Sequence, residues 1–123
     1  MAIQITNMSK EFTDVEKYLM TTAQSIISMK DVVDGTKITV AGTLEFTDTK
    51  DGKDPVQITS IITPDNTVYS CQSMTFKRSL QDIENIMNGK EFTIIKISGT
   101  TKAGRPYINC VLDVEALNNA NKK

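Results

Sequence analysis

The last third of the chain constrains the fold most. Residues 79–88 carry Leu80, Ile83, Ile86 and Met87 on one helical face, with Ser79 or Ser73 as N-cap candidates and Gly89 just beyond the end. An apolar run follows over residues 92–97, and Gly99-Thr-Thr-Lys-Ala-Gly-Arg-Pro106 then leads into an alternating segment that begins at Tyr107. This ending is helix, strand, loop, strand. Whatever precedes it must supply partners for two strands that cannot stand alone in water.

Three strand signals come before it. Over residues 36–47, Ile38, Val40, Leu44 and Phe46 share one face with Gly42 in register, while Lys37, Thr39, Thr43 and Glu45 fall largely opposite. Twelve residues is long for a strand, and a central glycine is where a strand bends or bulges to serve both halves of a closed sheet. Phe46 faces inward in a regular strand and outward if that bend is a one-residue bulge. The stretch 48–55 has the Asp, Gly and Pro of a turn, with lysines between its acids. Residues 56–63 point Val56, Ile58 and one of Ile61 or Ile62 inward. Thr63-Pro-Asp-Asn66 is a tight turn, and 67–71 forms a short third strand that fits either phase. Here it is read with Tyr69 outward.

Upstream, residues 11–29 place Phe12, Val15, Tyr18, Leu19, Ala23, Ile26 and Ile27 at spacings of three and four, an amphipathic helix. Thr13 with Glu16 is a capping-box signature at its start, and Ser9 with Phe12 is an alternative entry. Such a helix covers the sheet or plugs one end of it, and being outside the strand core it is a convenient contact for weak homo-oligomerisation. At the other end, 107–117 alternates Ile108, Cys110, Leu112 and Val114 against Tyr107, Asn109, Val111, Asp113 and Glu115. The polar tail 118–123 is expected to be disordered.

The order strand-strand-strand-helix-strand-strand is that of the five-stranded OB barrel, so the expected fold is mainly β: an OB-fold barrel with a helix between strands 3 and 4 and an additional N-terminal helix. A single domain spanning 1–117 suits a chain of 123 residues. No apolar run approaches the roughly 20 residues that span a bilayer, and Met1-Ala-Ile-Gln lacks a secretory pattern, so a cytoplasmic protein without a membrane partner is expected.

Chemistry is scarce. The chain has no histidine, which removes the commonest general acid–base near neutral pH, and no nucleotide-loop or nucleophile-elbow motif. Cys71 and Cys110 cannot by themselves make a four-ligand metal site and read as small core residues. No catalytic residue, metal or cofactor is therefore expected. Charge excludes a uniformly basic surface, with 14 basic and 15 acidic residues, yet six lysines face ten acids in residues 1–65 while eight basic face five acidic residues in 66–123.

What decorates the fold is aromatic and basic. Single strands are held by cations along the phosphates and by rings on which bases stack. The candidate rings are Tyr107, out of phase with its strand's core face, Tyr69, and Phe46 and Phe76 at strand ends. The candidate cations are Lys77 and Arg78 before the helix, Lys96 in the fourth strand, Lys102 and Arg105 in the last loop, and Lys50 and Lys53 in the first. Those two loops are the ones OB folds use to grip oligonucleotides. Arg105 can bridge a phosphate with two hydrogen bonds or stack on a base.

In the N-terminal helix, Asp34-Gly-Thr-Lys-Ile-Thr-Val-Ala-Gly42, Val68-Tyr-Ser70 and Lys102-Ala-Gly-Arg105, the chain resembles the single-stranded DNA-binding proteins of small tailed phages that replicate linear genomes by protein priming, over residues 30–115. The resemblance implies an OB fold that coats displaced strands in the host cytoplasm with little sequence preference, stacking bases on exposed tyrosines, with replication proteins as further partners. Tyr69 matches that family's Val-Tyr-Ser motif. Phe46 falls near a position where the family tends to have tyrosine, and Tyr107 matches no family position. The alternatives are a protein-interaction module, or a phage inhibitor of a host protein, on the same barrel.

Overall fold

The computed structural model describes residues 2–50, 52–88 and 90–114. The expected stop at Gly89, the end of the last predicted strand and the polar tail 118–123 lie outside the described residues. The protein is mainly β. Among the described residues, eight strands, β1 (Ala2–Met8), β2 (Ile27–Ser28), β3 (Lys37–Val40), β4 (Gly42–Thr49), β5 (Val56–Ile62), β6 (Val68–Cys71), β7 (Phe92–Thr100) and β8 (Pro106–Leu112), join two α-helices, α1 (Asp14–Thr21) and α2 (Met74–Met87). They form a five-stranded sheet in the order β1-β4-β5-β6-β2 and a three-stranded sheet in the order β3-β7-β8. Among the described residues no ladder joins β6 to β8, so the sheets are not closed on one another.

The long strand expected over 36–47 is present but divided. Its first half pairs with β7 and its second with β5, and Ala41 between them still donates its N–H to the Ile62 carbonyl at 2.9 Å. Alternation carries through the break, yet Ile38 and Val40 pack in one core cluster and Leu44 and Phe46 in the other. At the junction a Cβ on Gly42 would lie 2.7 Å from the ring of Phe12.

The two clusters lie on opposite faces of the five-stranded sheet. Ile61, Tyr69 and Cys71 face the three-stranded sheet and α2, whose Phe76, Leu80, Ile83 and Met87 recur at helical spacing. Ile58, Ile62 and Val68 face α1, and Ser60 on the same side donates to the Met20 carbonyl at 2.5 Å. Both Ile61 and Ile62 are thus buried, one on each face of a strand covered on both sides.

Three expectations about elements are corrected. The N-terminal helix is only Asp14–Thr21, not 11–29: the Thr13–Glu16 capping box fixes its start, it ends in two β-branched threonines, and residues 27–28 pair in parallel with β6 instead. β1 was not expected, although Ile3 and Ile5 alternate with Gln4 and Thr6. The second helix begins at Met74, five residues before Ser79, because Ser73 caps it by accepting from the Phe76 N–H at 3.2 Å. No helix among the described residues is long and apolar enough to cross a membrane.

Candidate functional site

The β7–β8 hairpin carries three of the candidate residues that remain accessible, Tyr107, Lys102 and Arg105. Gly99 and Tyr107 are cross-strand partners near its turn, and the half-buried Tyr107 ring lies over Gly99, where a Cβ would come within 2.4 Å of Cζ and Oη. Only glycine leaves room for the ring in this position. The loop beyond is held by Thr101: its N–H donates to the Arg105 carbonyl at 2.8 Å, its carbonyl accepts from Gly104 N–H at 2.9 Å and its hydroxyl from Arg105 N–H at 3.1 Å. Gly104 sits at φ +85°, a backbone conformation that side chains disfavour. Lys102 and Arg105 are exposed on this ordered turn, and neither joins an ion pair among the described residues. A ring fixed by its strand partner beside two uncompensated cations can take a base on its face and phosphates at its edge.

Lys50 and Lys53 are exposed in the β4–β5 loop, where Lys53 N–H donates to the Lys50 carbonyl at 3.0 Å, and Arg78 is exposed on α2. These three cations also form no ion pair among the described residues.

The other candidates are corrected. Phe46 is 2 % exposed and Phe76 0 %, so neither offers a face to a base. The bulge that would have turned Phe46 outward lies in the partner strand, between Ile5 and Asn7, and β4 keeps its phase. Phe76 falls inside α2 rather than at a strand end. Tyr69 is not outward: it is half-buried against the cluster of Ile61 and Cys71, because Val68 takes the opposite face against Leu44 and Phe46. Lys96 is 4 % exposed, ion-paired to Asp34 at 3.3 Å and bonded to the Val32 carbonyl. The hydrogen bond from Ser98, then Lys96, holds the Asp34 carboxyl below its usual range. Lys77 is largely covered and lies 3.6 Å from the buried carboxylate of Glu45. Cys71 and Cys110 are buried free thiols, and burial, with the neighbouring Cys71 adding to it, pushes Cys110 up to about 12.

A second feature was not read from the sequence. Displaced by one residue from its apolar stripe, α2 carries a polar one, Lys77, Gln81, Glu84 and Asn88, and this stripe faces β4. Glu45 accepts from Gln81 Nε2 at 2.7 Å and from Asn7 Nδ2 at 3.2 Å, and Glu84 accepts from Thr43 Oγ1 at 2.7 Å. In front of this network, β1, the β3–β4 junction, α2 and the start of β7 enclose a cleft of about 540 Å³. The spacing of the polar stripe is present in the sequence, but by itself such a stripe is what any solvated helix face shows. Only the pairing with β4 makes it a wall.

Compared with known protein families, with curated proteins and with solved structures, the chain matches none.

Proposed function

We propose that the protein is a non-enzymatic module that coats single-stranded DNA without strong sequence preference, stacking bases on Tyr107 and neutralising phosphates with Lys102 and Arg105, aided by Lys50, Lys53 and Arg78. The observation that carries this reading is the Tyr107 ring seated on Gly99, on one hairpin with two exposed cations that form no ion pair among the described residues. A platform already in position loses little entropy when a base stacks on it. Phe46, Phe76, Tyr69, Lys77 and Lys96 take no part, since all are committed to the interior.

An OB architecture underlies this proposal. Counting β3 and β4 as one bent strand, the ladders β4–β5, β5–β6, β3–β7 and β7–β8 are four of the five such a barrel requires, and α2 occupies the connection where its helix belongs. The Ser73 hydroxyl, which donates to the Ile108 carbonyl at 2.7 Å, spans the remaining gap between the end of β6 and β8. The resemblance to phage single-stranded DNA-binding proteins favours a role at displaced strands during genome replication. Gel-shift titration with oligo-dT tests it: a shift that weakens as salt rises supports the proposal, and the absence of any shift at low salt refutes it in favour of a protein partner.

A further inference from the structure

The cleft between β1 and α2 has a chemistry distinct from that of the hairpin. Its back wall presents the Glu84 carboxylate beside two side-chain amides. Gln81 and Asn7 each give one amide N–H to Glu45, so each has its carbonyl oxygen and a second N–H left. Glu84 receives the Thr43 hydroxyl on one lone pair of Oε1, which leaves the other lone pair of Oε1 and the whole of Oε2 to accept. Its rim is cationic: Lys10, with Nζ 5.7 Å from the Phe12 ring centre, and Lys90 are exposed and form no ion pair among the described residues. Val40 and Phe92 line it with apolar surface. A volume of about 540 Å³ is that of a small-molecule site.

A ligand that fits is flat, rich in donors along one edge and anionic at the other end. Guanine nucleotides have this pattern, because N1–H and the N2 amino group lie side by side and meet both lone-pair regions of a carboxylate wall. Thymine offers one donor flanked by two acceptors, and adenine and cytosine set a ring acceptor beside their amino group. We propose that this cleft binds a guanine nucleotide, free or as one residue of a single strand, with Glu84 taking the N1–H and N2–H donors and Lys10 and Lys90 taking the phosphate.

Burial raises the Glu84 pKa, the Thr43 hydrogen bond opposes that rise and the Glu45 charge adds to it. A dehydrated carboxylate gains most when paired donors arrive.

The test is NMR titration of the full chain with dGMP, dTMP and dAMP. Expected are amide shifts at residues 7–10 and 81–90 and an affinity for dGMP about tenfold or more above the others. Glu84→Gln, which keeps an acceptor for Thr43, should abolish that preference, and the exposed Lys90→Ala should weaken dGMP but not guanosine. Equal affinities for dGMP and dTMP, or shifts confined to the β7–β8 hairpin, would overturn the proposal. If dGMP binds as expected, a single guanine placed within oligo-dT separates the sources: a matching gain in affinity assigns the cleft to the strand, and no gain assigns it to the free nucleotide. Oligo-dT contains no guanine, so this inference and the strand-coating proposal fail independently.

Discussion

The ring of Tyr107 occupies the space above Gly99, and a Cβ on residue 99 would stand 2.4 Å from its Cζ and Oη. Glycine at 99 is therefore a condition of the ring's position rather than of the strand. Gly99→Ala is expected to push the ring out at a cost in stability of about 1–3 kcal/mol, the usual range for overpacking. Both it and Tyr107→Ala should weaken oligo-dT binding by a share of the roughly 1–3 kcal/mol that one stack contributes. Thermal melts beside binding isotherms check this: loss of stability without loss of binding would make Tyr107 a packing residue only.

Arg105 and Lys102 are proposed to neutralise phosphates, so their removal should register in salt dependence. Each single Ala variant is expected to flatten the slope of log K against log salt by about 0.7, leaving the melting temperature nearly unchanged because both side chains are exposed. Arg105→Lys should restore the slope and only part of the affinity, since an ammonium cannot form the two-pronged contact.

Phe46 and Phe76 are expected to behave as core. Either one changed to Ala should cost about 3–5 kcal/mol, measured by urea denaturation, whereas the exposed Arg78→Ala should cost almost nothing.

The contrast shows what could be read in the residues alone. Alternation in 107–112 and the Lys102–Arg105 loop are local signals, and the hairpin formed as the sequence implied. The capping box at Thr13 and Glu16 was equally local. Phe76 was misplaced because its helix starts at a serine cap that competes with another serine six residues on, and a cap is chosen by what the helix packs against. Lys96 was misread because its partner Asp34 is 62 positions away in sequence and reaches it only through the pairing of β3 with β7. The α1 stripe ran too far because Ile26 does pack beside the helix, in the same cluster, without belonging to it.

Two carboxyls carry opposite pH signatures. Burial raises Glu84 above its ordinary 4.5, so below that pH it is protonated in folded and unfolded chains alike, and stability is lost as pH rises through 4.5 toward the higher folded value. Glu84→Gln, in a site also faced by Glu45, Lys10 and Lys90, should therefore melt above the wild type at pH 7 and level with it below 4.5. The Ser98 hydrogen bond lowers Asp34 below 3.8, so its stabilisation is complete above that pH and disappears as acid protonates the folded form. Asp34→Asn should melt below the wild type at pH 7, and the gap should close in acid. Melting curves between pH 2 and 8 read both signs.

The most direct measurement is tyrosine fluorescence during titration with a short oligo-dT at low and moderate salt, which no tryptophan masks. Tyr107 is the ring proposed to stack, while Tyr18 is exposed on α1 and Tyr69 lies against the core. The expected result is saturable quenching that weakens with salt and is lost in Tyr107→Ala. Quenching that persists in full in that variant, or no quenching in the wild type, would contradict a single-strand binder built on this hairpin.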